Sequence, residues 1–505
     1  MSRPIVWSIA GSDSGGGAGI QADIPTILAL GGHPATVVTA LTAQNSVGVQ
    51  SVESTGMSLF EQQMKSLASD LPPAAIKIGL LAEPWQIRLL ADNLPAWRQR
   101  WQAPVVLDPV LVATSGDELA RGEVVAALQE LLPAVDMVTP NLPELRALTR
   151  QACDTLEDAI AAARLLLAQG CRSVLVKGGH GDWDTAEGQC IDALVTADTV
   201  WCFAQPRLTT RHTHGTGCTL SSAIATALAT GHPLEDAVVL ASRFLHQGLH
   251  QAYATGQGAG TPERWQRTDD CNIECYPNWL AEPGDTTSTD GYLDCLWQPL
   301  GLYPVVPDSR WVARVLKAGV RTVQLRLKDP GHPRLRDEIQ AAIQLGQQYG
   351  AQVFINDHWQ LAIELGAFGV HLGQEDLVSA DLQAIRHAGL RLGISTHGFA
   401  ELLRALALRP SYVALGHVFP TRTKNMPSRP QGLERLREFQ AIADLAGVPS
   451  TAIGGIKRHH LPAVRACGVR SVAVVTAITE ADDPEAALRE LMAGLDGQTV
   501  GEATV

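Results

Sequence analysis

The sequence is poor in positive charge. Its 505 residues include 39 Lys and Arg against 52 Asp and Glu, so the formal net charge is −13. Nucleic acids and anionic membranes bind surfaces on which Lys and Arg cluster, and an overall excess of acid argues against both as partners. The basic residues must therefore act locally, and we expect small molecules to be the partners. The oligomeric state stays open, a homo-oligomer included.

The chain also lacks a long apolar run and a disulfide framework. Nowhere do 18 uncharged apolar residues follow one another, and Met1–Pro4 leads directly into a strand candidate instead of an apolar leader. Nine cysteines, an odd number, are scattered along the chain. We therefore expect a soluble, cytoplasmic protein. Cys271, Cys275 and Cys295 lie near one another in sequence and suggest a metal site, although no fourth ligand is evident.

Two common nucleotide-binding signatures are missing. The sequence contains no G-x-x-x-x-G-K-[ST] loop. The Gly-rich segment Gly11–Gly19 lacks the G-x-G-x-x-G spacing, and no acidic residue ends the second strand at the expected distance. A P-loop protein and a dinucleotide-binding domain are both disfavoured. We interpret the glycines instead as a turn that lets the backbone approach a small substrate.

What the chain does have is enough length for two domains, because 505 residues exceed a single compact core. Up to about residue 260, short apolar strands alternate with helices rich in Ala and Leu. This alternation predicts an α/β domain with a doubly wound parallel sheet. The predicted strands are Val6–Ala10, Thr36–Thr39, Ala75–Gly79, Val105–Leu107, Met137–Thr139 and Val174–Lys177.

A stretch rich in Gly, Pro, Thr and Asp interrupts this pattern from about Gly256 to Gln298. Such composition breaks helices and strands, so we interpret residues 261–298 as a linker. It divides the chain into a first domain at residues 1–260 and a second at residues 299–497.

Eight more strand candidates follow the linker at the spacing of βα units. Helical segments such as Arg334–Tyr349 and Asp381–Ala388 lie between them, and this organisation predicts a (β/α)8 TIM barrel. The predicted barrel strands are Leu302–Val306, Thr322–Leu327, Gln352–Asn356, Gly369–Leu372, Arg391–Ser395, Tyr412–Gly416, Ser450–Ile453 and Ser471–Val475.

A candidate anion site lies in the first half. Thr213–Cys218 opens the helix-favouring run Thr219–Leu228, so unpaired N–H groups at the helix start face an incoming anion. Three further segments precede it: Asp108-Pro109-Val110, Thr139–Glu144 and Val176–His180. In this order, the four segments resemble the ribokinase superfamily.

Cys218 narrows the resemblance, because it stands where that superfamily usually has Asp. Together with Thr42–Asn45 and Ala113–Gly116, it makes residues 3–255 similar to the hydroxymethylpyrimidine/phosphomethylpyrimidine kinases. Pyridoxal kinases are the nearest alternative. The resemblance implies phosphoryl transfer from ATP, with Cys218 deprotonating the substrate hydroxyl. We expect the helix start to lower the pKa of the Cys218 thiol.

The same resemblance assigns roles to the other residues of the first half. Gln44 recognises the aminopyrimidine edge, and Lys177 contacts the nucleotide phosphate. The remaining members are Gly215 and Gly217 in the anion hole, and Asp108, Asn141 and Glu144 around Mg²⁺, directly or through water. Taken alone, a Cys at a helix start is usually a small buried residue, and Asn141–Glu144 also fits a helix N-cap.

In the second half, polar side chains gather where predicted barrel strands end, which is the face where barrels carry their chemistry. Asp357 and Asp376 follow neighbouring strands, and such strands lie roughly 5 Å apart. Both carboxylates can therefore converge on one Mg²⁺ ion. Arg326, Lys328 and Lys424 supply positive charge around it, so the set predicts a diphosphate pocket.

Two loops extend this pocket. Thr421–Lys424 adds hydroxyl donors, and the segments after strands seven and eight lie where barrels commonly bind a phosphate through backbone N–H groups. Those segments contain Gly455, Thr476 and Ala477. The pocket is therefore expected to hold two phosphorylated substrates.

Residues 302–495 resemble the thiamine-phosphate synthases, through Gln324–Lys328, Phe354–Asp357, His371–Asp376, Gly393–His397 and Ala452–Ile456. The resemblance implies that a pyrimidine methyl diphosphate loses diphosphate and that a thiazole phosphate nitrogen captures the carbon. The implied contacts to the pyrimidine diphosphate are Gln324, Arg326, Lys328, Asn356, Ser395, Thr421, Thr423 and Lys424, with Arg326 and Lys424 also catalytic. Asp357 and Asp376 would ligate Mg²⁺, and Gly455, Thr476 and Ala477 would hold the thiazole phosphate. We interpret His371 and His397 as structural histidines at the barrel rim.

The two halves complement each other, because a kinase that phosphorylates hydroxymethylpyrimidine twice produces the diphosphate that the barrel would consume. We therefore predict a bifunctional enzyme of thiamine biosynthesis. Two alternatives stay open at this point: a first domain that acts mainly on pyridoxal, and a non-catalytic protein that binds thiamine precursors.

Overall fold

The computed structural model describes residues 3–111, 122–180, 188–265, 273–280, 291–421 and 429–496. The chain divides into two compact units, Met1–Thr286 and Thr287–Val505. In the ranges just given, no helix combines the length and apolarity that crossing a bilayer requires.

The described residues of the first unit form a ten-stranded sheet flanked by eight helices. The strands are β1 Ile5–Asp13, β2 His33–Gln44, β3 Val49–Ser54, β4 Ala75–Ile78, β5 Val105–Leu107, β6 Met137–Val138, β7 Ser173–Val176, β8 Gln189–Thr196, β9 Val200–Pro206 and β10 Asn278–Leu280. The helices are α1 Gly19–Ala29, α2 Met57–Asp70, α3 Pro84–Trp101, α4 Gly122–Leu131, α5 Leu142–Thr149, α6 Leu156–Ala168, α7 Thr216–Ala229 and α8 Leu234–His250.

The strand order is β10-β9-β8-β7-β6-β5-β4-β1-β2-β3. The six strands from β7 to β2 pair in parallel, as predicted, and their buried apolar segments are typical of a sheet covered by helices on both faces. Four strands were missed: β3, β8, β9 and β10, which pair antiparallel at the two edges. The doubly wound α/β prediction is confirmed, with a mixed sheet instead of a purely parallel one.

The segment predicted as a linker contributes structure to both units. Thr261 and Arg264 are buried, and β10 extends the first sheet through pairing with β9. Further on, the Tyr292 hydroxyl donates to the Leu382 carbonyl at 2.9 Å, and the Leu296 N–H donates to Gln352 Oε1 at 3.0 Å. Composition alone did not reveal that this segment is structured, because Gly and Pro also occur in ordered loops.

The three-cysteine metal site stays an untested prediction. Cys271 lies outside the described residues, and Cys275 and Cys295 belong to different units. Cys295 is buried, and its thiol donates to the Ser411 carbonyl at 3.8 Å. Burial raises the pKa of Cys295 to about 12, so this thiol is protonated at neutral pH.

The second unit is a closed parallel barrel, which confirms the prediction. Its strands are β11 Leu302–Val306, β12 Thr322–Leu325, β13 Gln352–Asn356, β14 Gly369–Leu372, β15 Arg391–Thr396, β16 Tyr412–Leu415, β17 Ser450–Ile453 and β18 Val472–Val474. The helices in its described part are α9 Ser309–Lys317, α10 Leu335–Tyr349, α11 Trp359–Glu364, α12 Gln374–Ser379, α13 Leu382–His387, α14 Phe399–Ala407, α15 Gly432–Leu445, α16 Leu461–Arg465, α17 Thr476–Thr479 and α18 Pro484–Asp496.

Aromatic rings fill part of the barrel interior. Tyr303, Phe354 and Tyr412 are buried and pack with centroid distances of 5.0 to 6.0 Å. A core filled in this way holds the eight strand ends at fixed separations. The polar residues that follow those ends are therefore held on a rigid rim.

Candidate active sites

One large cavity runs through the first unit, with a volume of about 1490 Å³. Its wall includes Gln44 from the end of β2, Cys218 from the start of α7, and Asp108 with Lys177 from the ends of β5 and β7. Ligand pockets of drug-sized molecules usually measure about 300 to 1,000 Å³. The cavity therefore has room for two ligands side by side.

The start of α7 lies on the cavity wall, where the anion hole was predicted. Gly215 is its N-cap and has a φ of +79°, and a Cβ there would lie 1.9 Å from the Gly17 carbonyl oxygen. A Cβ on Gly217 would lie 3.3 Å from both Asp108 Oδ2 and Lys177 Nζ. The two glycines thus leave the first N–H groups of the helix open to the cavity.

Lys177 lies between two carboxylates. Its Nζ donates to Asp108 Oδ1 at 2.8 Å and lies 3.6 Å from Glu144 Oε2. Burial would raise the pKa of Asp108, but Lys177 and Lys77 outweigh it and hold that pKa below its usual value. Burial, reinforced by Asp108, raises the pKa of Glu144 to about 7. Sequence analysis thus identified a real cluster, in which an ammonium group occupies the space between the carboxylates.

Asn141 acts as the N-cap of α5. Its Oδ1 accepts from the Glu144 N–H at 2.9 Å, and Glu144 Oε2 accepts from the Asn141 N–H at 2.8 Å. This reciprocal capping box is the structural interpretation that the sequence left open. It also fixes the Glu144 carboxylate beside Lys177, so capping and charge placement are compatible.

The expected pKa of Cys218 is wrong in direction. Burial raises the pKa of this thiol, and the nearby Asp23 and Asp108 charges raise it further. Lys77 opposes them by favouring the thiolate. The helix start therefore does not suffice to ionise Cys218, because the desolvation penalty is larger.

Four polar side chains that organise the cavity and its surroundings were missed. Asp13 accepts hydrogen bonds from the N–H groups of Gly15, Gly17 and Ala18, at 2.8 to 2.9 Å, and so shapes the Gly-rich turn. The missed residues are Asp13, Lys77, His214 and Arg264. An Asp just before a glycine run was the available signal, since it commonly closes such a turn.

His214 connects that turn to the predicted pyrimidine contact. Its Nε2 lies 3.0 Å from Asp13 Oδ2 and 3.4 Å from Gln44 Nε2. Arg264 donates from Nη2 to the Gly17 carbonyl at 2.8 Å and from Nε to Thr219 Oγ1 at 2.8 Å. The turn, the β2 end and the start of α7 are thus held together around Gln44.

The barrel brings Asp357 and Asp376 together, as predicted. Asp357 follows β13 with a φ of +63°, and Asp376 lies in the first turn of α12. Burial raises the pKa of Asp357, and the Asp376 carboxylate beside it raises that pKa further. Arg326 is close enough to oppose the rise. Two adjoining carboxylates, one of which raises the pKa of the other, form a donor set that fits a hard divalent cation.

The alternation of polar and apolar residues predicts Gln324, Arg326 and Lys328 on one face of a strand. This is wrong for Arg326 and Lys328, because β12 ends at Leu325, two residues earlier than predicted. Only Gln324 lies within the strand, where its Nε2 donates to the Tyr303 hydroxyl at 3.3 Å. Arg326 is partly buried and Lys328 is exposed at the rim. The charges thus leave the strand end on a loop, which still directs them to the face that carries Asp357.

Ser395 is held by the rim histidine. His371 Nε2 lies 2.8 Å from Ser395 Oγ, and His371 Nδ1 lies 2.7 Å from the Tyr412 hydroxyl, which is itself 2.6 Å from the Tyr303 hydroxyl. Asn356 is buried at the end of β13, in register with His371. His397 instead pairs with Glu401 at 2.9 Å.

The predicted phosphate loops follow the last two strands. Gly455 comes two residues after β17 with a φ of +64°, and a Cβ there would lie 2.4 Å from the Pro420 carbonyl oxygen. Thr476 and Ala477 begin α17, just beyond β18. Thr421 is half-buried, whereas Thr423, Lys424 and the segment Ala113–Gly116 lie outside the described residues.

Comparisons with known proteins match the two units separately. Residues 13–263 match the family model described as phosphomethylpyrimidine kinase, and residues 302–478 match that of thiamine monophosphate synthase. The chain is 58% identical over 199 residues to thiamine-phosphate synthase from Serratia proteamaculans, which covers 39% of this chain and 93% of that protein.

Solved kinase structures resemble the first half. A phosphomethylpyrimidine kinase from Clostridium difficile is 34% identical, covers 49% of this chain and 100% of its own, and gives a TM-score of 0.43. An ADP complex of Bacillus subtilis pyridoxal kinase is 29% identical, covers 52% of this chain and 98% of its own, and gives a TM-score of 0.47.

Proposed function

We propose residue-level roles for a chain that belongs to the thiamine-phosphate synthase family over residues 302–478 and carries a phosphomethylpyrimidine kinase domain over residues 13–263. The chain is a bifunctional enzyme of thiamine biosynthesis. Its kinase uses ATP to phosphorylate hydroxymethylpyrimidine twice, and its synthase joins the diphosphate to thiazole phosphate with release of diphosphate. We assign the two activities to residues 1–260 and 299–497 and the enzyme to the cytoplasm, where ATP is available.

The kinase proposal depends on one observation: a single cavity is lined by Gln44, Cys218 and the Lys177–Asp108 pair. Gln44 binds the aminopyrimidine edge at one end. Lys177 binds the transferring phosphate, and the open N–H groups at Gly215–Cys218 stabilise its charge as the oxygen–phosphorus bond to ATP breaks. The substrate hydroxyl oxygen forms the new bond to phosphorus.

Cys218 accepts the hydroxyl proton only in its thiolate form. Because burial raises the pKa of the thiol, this role requires the kinase rate to increase with pH through the neutral range. The positive charge of Lys77 favours the Cys218 thiolate by lowering the pKa of the thiol. A Cys218→Ser variant is expected to lose this increase, and an unchanged pH profile would remove Cys218 from the proton-transfer step.

In the kinase, Asp108, Asn141 and Glu144 are poorly placed to coordinate Mg²⁺ directly. Lys177 already lies between the two carboxylates, and Glu144 also caps α5. We therefore propose that these residues hold the Mg²⁺ of the nucleotide through water, with Glu144 contributing once it is ionised. The ion supplies neutralisation of the phosphate charge.

In the synthase, Asp357 and Asp376 are proposed to hold Mg²⁺, which supplies charge neutralisation for the departing diphosphate. Arg326, beside Asp357, donates to the same phosphate oxygens. Gln324, Lys328, Asn356, Ser395, Thr421, Thr423 and Lys424 complete the proposed diphosphate and pyrimidine contacts. Gly455, Thr476 and Ala477 bind the thiazole phosphate through backbone N–H groups.

Purified full-length protein tests both proposals at once. With ATP, Mg²⁺, hydroxymethylpyrimidine and thiazole phosphate, thiamine phosphate should form. Cys218→Ala should block this unless the pyrimidine diphosphate is supplied, and Asp357→Asn should block it even then. Pyridoxal replaces hydroxymethylpyrimidine in a parallel assay. Faster turnover of pyridoxal would reassign the kinase, and pyrimidine binding without ATP consumption would indicate a non-catalytic binding protein.

A further inference from the structure

Three metal-ligating side chains converge outside the phosphate-handling residues. His246 and His250 lie one turn apart at the end of α8, and Cys275 ends the short 3-10 turn Ile273–Cys275. One donor atom from each residue lies within 4.8 Å of the other two. The two imidazole rings are 4.8 Å apart between centroids. None of the three residues has a role in either reaction proposed above.

His246 presents a donor atom without a hydrogen-bond partner. The residue is only 6% exposed, and its Nε2 lies 3.1 Å from the Pro206 carbonyl oxygen. Because a carbonyl can only accept, Nε2 carries the proton and Nδ1 carries a lone pair. Within the described residues, this buried Nδ1 has no hydrogen-bond partner. Metal-bound histidines commonly show this arrangement, with a backbone carbonyl fixing the second ring nitrogen.

Cys275 is held in place by its backbone. The residue is buried and not in a disulfide, and its carbonyl accepts from Gln205 Nε2 at 2.8 Å. Three residues later, β10 joins the edge of the sheet through β9. The sulfur therefore lies within reach of the α8 histidines on a segment that is anchored at Cys275 itself and by β10 just after it.

We propose that His246, His250 and Cys275 form a binding site for a Zn²⁺-class transition metal. Two imidazoles and one thiolate are soft and borderline ligands that select Zn²⁺ over Mg²⁺. Bonds of about 2.0 Å to nitrogen and about 2.3 Å to sulfur place tetrahedral ligands roughly 3.5 Å apart. The present separations need only a small closure, which the exposed His250 side chain supplies. Binding releases the Cys275 thiol proton, and a solvent molecule takes the fourth position.

The site would fix one wall of the kinase cavity. Leu245, His246 and Leu249 from α8 line that cavity, together with Pro206 at the end of β9. A metal bridging α8 to Cys275 would join this wall to the segment that carries β10. We therefore expect bound metal to raise the unfolding temperature of the first unit.

Cobalt(II) titration of the full-length protein tests the proposal, with Mg²⁺ present in excess to occupy oxygen-ligand sites. The expected result is one Co²⁺ per chain with a thiolate-to-cobalt charge-transfer band, which Zn²⁺ displaces. Cys275→Ser should abolish the band, and His250→Ala should weaken binding by at least about tenfold. Cys218→Ser should keep the band, and His33→Ala, another exposed histidine of the first unit, should keep the affinity.

Two outcomes would overturn the site. One is a band that survives in Cys275→Ser and disappears in Cys218→Ser, because the metal would then lie in the kinase cavity. The other is either no Co²⁺ binding to the wild type or Co²⁺ binding to His250→Ala that is as strong as to the wild type. Since His250 is exposed, the His250→Ala variant should fold. It therefore remains a decisive test even if Cys275→Ser fails to fold.

Discussion

Lys77 and Asp23 form a fully buried ion pair, with Lys77 Nζ 2.9 Å from Asp23 Oδ2 and neither side chain exposed. Asp23 also accepts from the Ser8 hydroxyl at 2.5 Å and the Ser222 hydroxyl at 2.7 Å. Lys77 favours the thiolate of Cys218. Asp23 on α1 thus links β1, β4 and α7, the helix at whose start phosphoryl transfer is proposed.

Replacing Lys77 by Met should destabilise the first unit by about 3 to 5 kcal/mol, because it leaves an uncompensated buried carboxylate. The kinase pH profile should also shift upward, since the Cys218 thiol loses the cation that lowers its pKa. Thermal unfolding and pH-dependent turnover measure the two effects. Lys77→Met/Asp23→Asn should recover stability but not the pH profile, and Lys65→Met, at an exposed ion pair, should change neither.

Substitution of Gly217 by Ala tests the anion hole. The added Cβ would lie 3.3 Å from Asp108 Oδ2 and Lys177 Nζ, so it would displace the two groups by a few tenths of an ångström. We expect kinase kcat/KM to fall by about tenfold, because phosphoryl transfer depends on positioning and a misplacement of about 1 Å costs about 10²-fold. Synthase activity with supplied pyrimidine diphosphate should not change. Gly56→Ala is the control, since its Cβ meets nothing within 4 Å; equal losses in both variants would contradict the prediction.

Glu144 should make the kinase depend on pH near neutrality. Burial raises the pKa of its carboxyl to about 7, so the group is protonated below pH 7 and ionised above it. If the carboxylate helps hold Mg²⁺, the Mg²⁺ concentration for half-maximal activity should decrease as pH increases from 6 to 8. Glu144→Gln keeps a side chain that can complete the capping box and should remove this dependence. A persistent dependence in the variant would exclude Glu144 as its source.

The folded-state pKa of Glu144 also affects stability. Because this pKa is raised above the unfolded value, the folded protein binds more protons between the two values, and stability falls as pH increases through that window. Chemical denaturation between pH 4.5 and pH 7 should show this loss in the wild type and less of it in Glu144→Gln.

The barrel carboxylates should show competition between protons and Mg²⁺. Burial and the adjoining Asp376 raise the pKa of Asp357, so lowering the pH favours protonation over metal binding. The Mg²⁺ concentration needed by the synthase should therefore increase as pH falls, and Asp357→Asn should abolish most activity while the kinase is retained. Asp381→Asn, which can still cap α13, is the matched control. Equal Mg²⁺ requirements across the pH range would contradict a shared metal site.

The sequence predicted what depends on local pattern. The parallel strands were recognised because most of their residues are apolar and alternate with helical segments, and Asp357 and Asp376 because parallel strands end at one rim. The antiparallel strands β8 and β9 were missed although both contain short apolar runs, Ala193–Val195 in β8 and Val200–Ala204 in β9, so a signal was available. Contacts between distant segments, such as His214 with Asp13, leave no pattern in the sequence.

Some missed features did have a signal. Lys77 is the charged residue in the fully buried strand Ala75–Ile78, and a lysine in such a strand requires a buried partner. The pKa of Cys218 could not be predicted, because it depends on how strongly burial and the surrounding carboxylates outweigh Lys77 and the helix start. Local motifs identify which residues take part, whereas their protonation depends on the packed surroundings.

Gly455 provides the last test, on the thiazole phosphate. Its φ of +64° and a Cβ position 2.4 Å from the Pro420 carbonyl oxygen mean that Ala would strain the backbone and displace the Phe419–Pro420 loop. Gly447→Ala is a matched control, because its φ of +67° carries the same backbone strain while its Cβ meets nothing within 4 Å. Such strain costs of order 1 to 3 kcal/mol in either variant. Only Gly455→Ala should also raise the KM for thiazole phosphate, measured at saturating pyrimidine diphosphate. A similar KM in both variants would mean that the turn serves stability alone and that the phosphate binds elsewhere on the rim.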